Sequence, residues 1–150
     1  MKILFLDIDG VLNNHTPMEN GYCGIDRDKV RLLNKILDET ECQIVITSAW
    51  RYMFLSRSMN IRGLENLFLT HGVKIHNRIF TTTISDEEIP TRGLQIQNIL
   101  DLFKKTKYTY VVVDDMDLDI TNNGHPFVKI DGKVGLTEKE AGEIIHVLNG

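Results

Sequence analysis

The sequence predicts an α/β fold, a mainly parallel sheet covered by helices on both faces. Short, nearly unbroken apolar runs alternate with segments of helical periodicity, the pattern of strands buried on both sides. The three strongest runs each end in acids or hydroxyls: Asp7 after the first, Thr47-Ser48 after the second, Asp114-Asp115 after the third. Ligands of parallel sheets bind outside the carboxyl ends of the strands. Three distant segments therefore deliver polar groups to one edge.

Taken in order, Ile3 to Leu6 reads as a buried strand that stops at Asp7-Ile8-Asp9-Gly10. An irregular stretch rich in Asn, Gly and Pro follows. Residues 26–40 carry Val30, Leu33 and Leu37 on one helical face. "CQIVIT" (42–47) is a second buried strand, and helical segments are expected within 50–70, where the pattern is mixed. "RIFTTT" (78–83) is β-branched and reads as a strand. Ile96, Ile99, Leu100 and Phe103 recur as in a helix that starts near Arg92. "YTYVVV" (108–113) is the third strong strand, and a weaker one is expected through Phe127 to Ile130. The last helix opens on a capping-box pattern, Thr137 and Glu140, with Ala141, Ile144, Ile145 and Leu148 as its apolar face.

A length of 150 residues suits one domain, and 42% hydrophobic with 25% charged residues is ordinary for a soluble globular chain. No apolar stretch approaches the ~18 residues of a membrane span. The run after Lys2 stops at Asp7, too short for a signal peptide, so a cytoplasmic protein is expected. Cys23 and Cys42 form no CxxC or Cys/His set, which argues against a disulfide framework or structural zinc; Cys42 reads as a packing residue. His15, His71, His76, His125 and His146 show no ligand spacing and read as structural or exposed. A net charge of −4 disfavours a dedicated nucleic-acid binder, yet residues 51–84 hold five basic residues against one acid. That stretch is either a solvated face or a landing surface for an anionic substrate.

Asp7, Asp9, Asp114 and Asp115 are hard oxygen ligands that suit Mg²⁺ rather than zinc or copper. Four carboxylates in one pocket do not all stay ionised without a cation. Thr47 and Ser48 offer hydroxyl and backbone N–H groups to phosphate oxygens, and Arg92 can offset charge on a transferring group. Arg51 either reaches phosphate or lies on the surface; Trp50 reads as a packing anchor rather than a base-stacking platform. Asp117 and Asp119 are reserve ligands that read better as exposed caps.

"FLDIDGVL", "IVITSAWR", "RGLQIQNIL" and "YVVVDDMDLD", in that order, resemble the four motifs of the haloacid dehalogenase (HAD) superfamily of phosphohydrolases. More narrowly, "TSAWR", the "RG" helix and the closing "GLT" helix are similar to the phosphatase-type HAD domains of RNA-repair proteins, related to polynucleotide phosphatases. The resemblance implies a three-layer Rossmann-like fold and a two-step mechanism. Asp7 would attack phosphorus to form an aspartyl-phosphate; Asp9 would protonate the leaving oxygen and then deprotonate the hydrolytic water. The Asp9 backbone carbonyl would join Mg²⁺, and Gly10 would allow the sharp turn. Thr47 would bind the phosphoryl group, and Arg92 would take the place of the basic residue of the third motif. Asp115 is expected on the metal with Asp114 behind it, or the reverse.

Cap domains inserted in this superfamily shape the substrate pocket. Residues 13–26 allow a flap, about 11–25, but no folded cap, and part of 52–91 must complete the core. The expectation is a single capless domain over 1–150 with an open site, which admits nucleic-acid ends or phosphoproteins better than a small metabolite, and a Mg²⁺-dependent phosphomonoesterase, with nucleotide or polynucleotide phosphate ends as the substrate hypothesis. No membrane and no obligate protein partner is expected. Two other readings stay open: a non-catalytic binding module that keeps the fold, and a phosphoacceptor domain of the response-regulator type. In the latter the acidic pair precedes the phosphorylated Asp, whereas here the Asp-x-Asp leads.

Overall fold

A computed structural model describes residues 1–14, 24–48, 60–75, 79–83 and 88–150. In chain order they form β1 (Lys2–Leu6), α1 (Arg27–Thr40), β2 (Gln43–Ile46), α2 (Ile61–Thr70), β3 (Ile79–Thr82), α3 (Arg92–Asp101), β4 (Thr109–Asp114), β5 (Phe127–Lys129) and α4 (Glu138–Asn149). The five strands make one sheet in the order β3-β2-β1-β4-β5, every pair parallel. The chain runs outward from β1 through β2 to β3, then returns to the other side of β1 as β4. That reversal is a topological switch point, where an open α/β sheet leaves a crevice at its carboxyl edge.

Period-two alternation divides the core. Leu4 pairs in register with Ile44 and Val111, and Leu6 with Ile46 and Val113; all six face one cluster with α1, α2 and α4. Phe5 lies between Val45 and Val112 on the opposite face, where Ile96, Ile99 and Leu100 of α3 cover them. Each strand residue is thus committed to one of two helical layers. In α1, Val30, Leu32, Leu33, Ile36 and Leu37 are all buried, a wider apolar face than the sequence pattern marked.

Element boundaries agree closely with the periodicity. The mixed segment within 50–70 resolves in part as α2, whose N-cap Asn60 accepts from the Gly63 N–H at 2.9 Å. Helix α3 is shorter than its apolar pattern. After Asp101 the chain tightens into i→i−3 bonds, Leu102 N to Ile99 O and Phe103 N to Leu100 O, so Phe103 packs on the core from a turn. The capping box of α4 is present: the Glu140 carboxylate accepts from the Thr137 backbone N–H at 3.2 Å and from its hydroxyl. Cys42 is fully buried among the α1-side residues. None of the described residues builds an inserted second domain, and no helix among them is long and apolar enough to cross a membrane. Most of the expected flap, Cys23, Trp50 and Arg51 lie outside the described residues.

Candidate active site

The ladder hydrogen bonds continue one residue past the strands and fix which side chains meet. Asp7 N donates to Val113 O, Thr47 N to Leu6 O and Thr83 N to Ile46 O, each at 3.0 Å. Thr83, Thr47, Asp7 and Asp114 therefore form one row across the carboxyl edge. Alternation also sets their direction. Asp7 follows Phe5 by two residues, Thr47 follows Val45 and Asp114 follows Val112, so all three belong to the α3 face. Helix α3 returns antiparallel to the strands, which brings its first residue, Arg92, to the same edge.

Arg92 completes the cluster from there. Its Nη1 donates to Asp114 Oδ2 in a short, buried ion pair and lies 3.8 Å from Asp7 Oδ1. Asp114 Oδ1 also accepts from Met116 N at 3.0 Å. Among the described residues, Asp7, Asp114 and Asp115 place one carboxylate oxygen each within 4.8 Å of one another, a set that could hold a metal ion. Burial, reinforced by Asp114 and Asp115 and only partly offset by Arg92, pushes the Asp7 carboxyl up to about 8. The Asp114 carboxyl is raised as well, mainly by burial, against the pull of Arg92 and the Met116 N–H. A single guanidinium does not neutralise three acids; the donor set fits a hard divalent cation.

The sequence reading grouped four carboxylates, whereas the structure gathers three. Asp9 turns to Asn13, whose Nδ2 donates to Asp9 Oδ1 at 3.1 Å. Gly10 makes the turn between them with φ of 83°, a conformation that side chains disfavour. Thr47 and Ser48 are buried at the end of β2, with Thr47 beside Asp7 in the row. Asp117 is exposed, and its carboxylate caps the following turn by accepting from the Thr121 N–H and hydroxyl. Asp119 accepts from Asn122 and Asn123.

The turn after Asp115 holds α3 in place. Gly93 N donates to Leu118 O at 3.1 Å, and a Cβ on Gly93 would fall 2.3 Å from Asp119 O. His125 Nε2 sits 2.8 Å from Gly93 O, and Nδ1 is 2.9 Å from the Tyr110 hydroxyl. A carbonyl only accepts, so Nε2 carries the proton and, in the neutral ring, Nδ1 accepts from Tyr110. This buttress ties the helix that bears Arg92 to the strand that bears Asp114.

A family model described as the HAD domain in Swiss Army Knife RNA repair proteins matches residues 3–141. The chain belongs to this family. No curated protein and no solved structure matches it. As a HAD domain it carries a phosphohydrolase-like fold, with an acidic cluster at the switch point able to hold a cation.

Some residues of this HAD domain's site gave no signal in the sequence. Asn13 sits in no recognisable periodicity, and its partners emerge only from the turn geometry. His125 lies outside the motifs, and Tyr110 opens the fourth one but reads there only as a strand residue. Thr82 and Thr83 were read only for β-branching, yet their buried hydroxyls find no hydrogen-bond partner among the described residues. An unpaired buried hydroxyl is costly, and Thr83 stands next to Thr47 in the row.

Proposed function

We propose that this HAD domain is a Mg²⁺-dependent phosphomonoester hydrolase that works through an aspartyl-phosphate on Asp7. The observation that carries this reading is the meeting, at one switch point, of buried Asp7 with Asp114, Asp115 and Arg92. Asp7, Asp114 and Asp115 would hold the cation with the Asp9 backbone carbonyl. Once bound, Mg²⁺ supplies charge neutralisation and polarisation of a phosphoryl oxygen.

The chain's own groups account for the rest. An Asp7 oxygen attacks phosphorus while the bond to the ester oxygen breaks, and that oxygen leaves with its electron pair and a proton from Asp9. Asp9 then removes a proton from water; the water oxygen attacks phosphorus, and Asp7 is released with inorganic phosphate. Arg92 offsets charge on the transferring group, and Thr47 with Ser48 offers hydroxyl and N–H donors to its oxygens. Arg51 is a further candidate for that contact.

Nucleotide or polynucleotide phosphate ends are the proposed substrates. The RNA-repair description of the family favours them, as does the lack of an inserted domain among the described residues, since an uncapped site admits an extended strand. A panel of 3′- and 5′-phosphorylated oligonucleotides, mononucleotides and sugar phosphates, assayed with Mg²⁺ for phosphate release, tests both parts. Preferred release from oligonucleotide ends, abolished in Asp7→Asn, supports the reading. Release from none of them overturns it; a stable phosphate on Asp7 without turnover points instead to a phosphoacceptor domain.

A further inference from the structure

Asn13 is almost fully buried, and its side-chain amide joins the turn that carries the proposed acid–base residue to Gly24. Its Oδ1 accepts from Gly10 N at 2.8 Å. Its Nδ2 donates to Gly24 O at 2.9 Å and to Asp9 Oδ1 at 3.1 Å. The backbone partners settle the orientation of the amide. The Gly10 N–H can only donate and the Gly24 carbonyl can only accept, so the NH₂ group must face Asp9. The two residues before it are held independently: Leu136 N donates to Val11 O and Asp26 N to Leu12 O, each at 2.8 Å. Asn13 is therefore anchored by the main chain that precedes it and by Gly24, and it offers its NH₂ group to Asp9 from a fixed frame.

We propose that Asn13 is a positioning residue for proton transfer: by engaging Asp9 Oδ1 it keeps the exchangeable proton on Oδ2 and holds the carboxyl in one rotamer. The inference rests on the hydrolase reading above. As the bond from Asp7 to phosphorus forms and the ester bond breaks, the departing oxygen takes the Oδ2 proton and leaves as an alcohol. In the second step Oδ2 takes a proton from the attacking water, which restores the starting state. Asn13 exchanges no proton itself. It removes the rotational freedom that would otherwise have to be lost in each transition state.

The leaving group separates this role from a structural one. A nitrophenyl ester departs with little proton assistance, whereas an alkyl ester requires it. With Mg²⁺ and the full chain, Asn13→Ala and Asn13→Asp are compared on both esters. Asn13→Asp keeps the acceptor for Gly10 N and is nearly isosteric, which guards against simple misfolding. The expected result is a loss in kcat/KM, which reports only the steps through formation of the aspartyl-phosphate, of about ten- to a hundredfold on the alkyl ester, a part of the roughly hundred- to ten-thousandfold that general acid catalysis contributes, and of less than about threefold on the nitrophenyl ester. Adding Asn13→Ala to Asp9→Asn should cost nothing more on the alkyl ester, since the two residues act as one unit. Equal losses in kcat/KM on both esters, or additive losses in the double variant, overturn the inference while the hydrolase reading stands. A wild-type chain that releases phosphate from neither ester nor from any phosphorylated oligonucleotide overturns both.

Discussion

Asp7 sits where burial and two neighbouring acids favour its protonated form, while nucleophilic attack requires the ionised one. Burial holds its carboxyl at about 8 in the folded chain, against 3.8 for an ordinary aspartate. Between those values the native state binds a proton that the unfolded state has released, so stability falls as pH rises across that window. Asp114 contributes with the same sign. Asparagine mimics the protonated carboxyl. Asp7→Asn in metal-free buffer is therefore expected to raise Tm, by more at pH 8 than at pH 5, and to end phosphate release. Thermal melts at both pH values check this; an equal shift at the two would remove burial of the charge as the cause. Asp7, Thr47, Ser48, Asp114 and Asp115 were legible in the sequence because each lies at the end of a strong apolar run, whereas Thr83 closes a segment read only for its β-branching. Asn13 was not legible, since its hydrogen bonds depend on how Gly10 and Gly24 return to it, which no spacing encodes.

Among the elements, α3 carries the tightest constraint. Gly93 lies against Asp119 O and the Asn123 side chain, so a methyl group there must displace the 117–123 turn or the helix itself. Gly93→Ala is expected to destabilise the chain by about 1–3 kcal/mol, in the range of overpacking, and to weaken retention of a phosphate mimic by moving Arg92. Urea midpoints and beryllium fluoride binding test the two halves. A midpoint like that of the wild type would show that the turn yields freely. The cap of α4 makes a smaller demand: Thr137→Ala should cost about 1 kcal/mol through loss of the capping box, with no change in phosphate release. A change in the urea midpoint too small to measure would mean that tertiary packing alone holds that end. Strand and helix positions followed from periodicity, because the burial of alternate or every third and fourth residue leaves its mark in sequence. The premature end of α3 left none, since Phe103 is apolar and packs on the core from a turn as well as from a helix.

At the scale of the molecule, the order β3-β2-β1-β4-β5 brings residues 7, 47, 92 and 114 to one edge although they span most of the chain. A cation that binds the folded cluster but not the unfolded chain must stabilise the whole domain. At a hundredfold excess over Kd the gain is about 2.7 kcal/mol. Mg²⁺ added to chelated protein is thus expected to raise Tm in the wild type and to do so far less in Asp115→Asn. Equal shifts in both proteins would place the ion elsewhere.

By itself the sequence determined the α/β class, the strands and helices, and the chemical types gathered at the strand ends, because hydrophobic period and turn chemistry are local properties of the chain. Only the tertiary structure decided that three carboxylates rather than four converge, that Asp9 turns to Asn13, and that Arg92 is braced through Gly93 and His125. Those outcomes depend on register between distant strands and on where a turn's amide and carbonyl groups end up, and hydrogen bonds of that kind are fixed by distances in space, not along the chain.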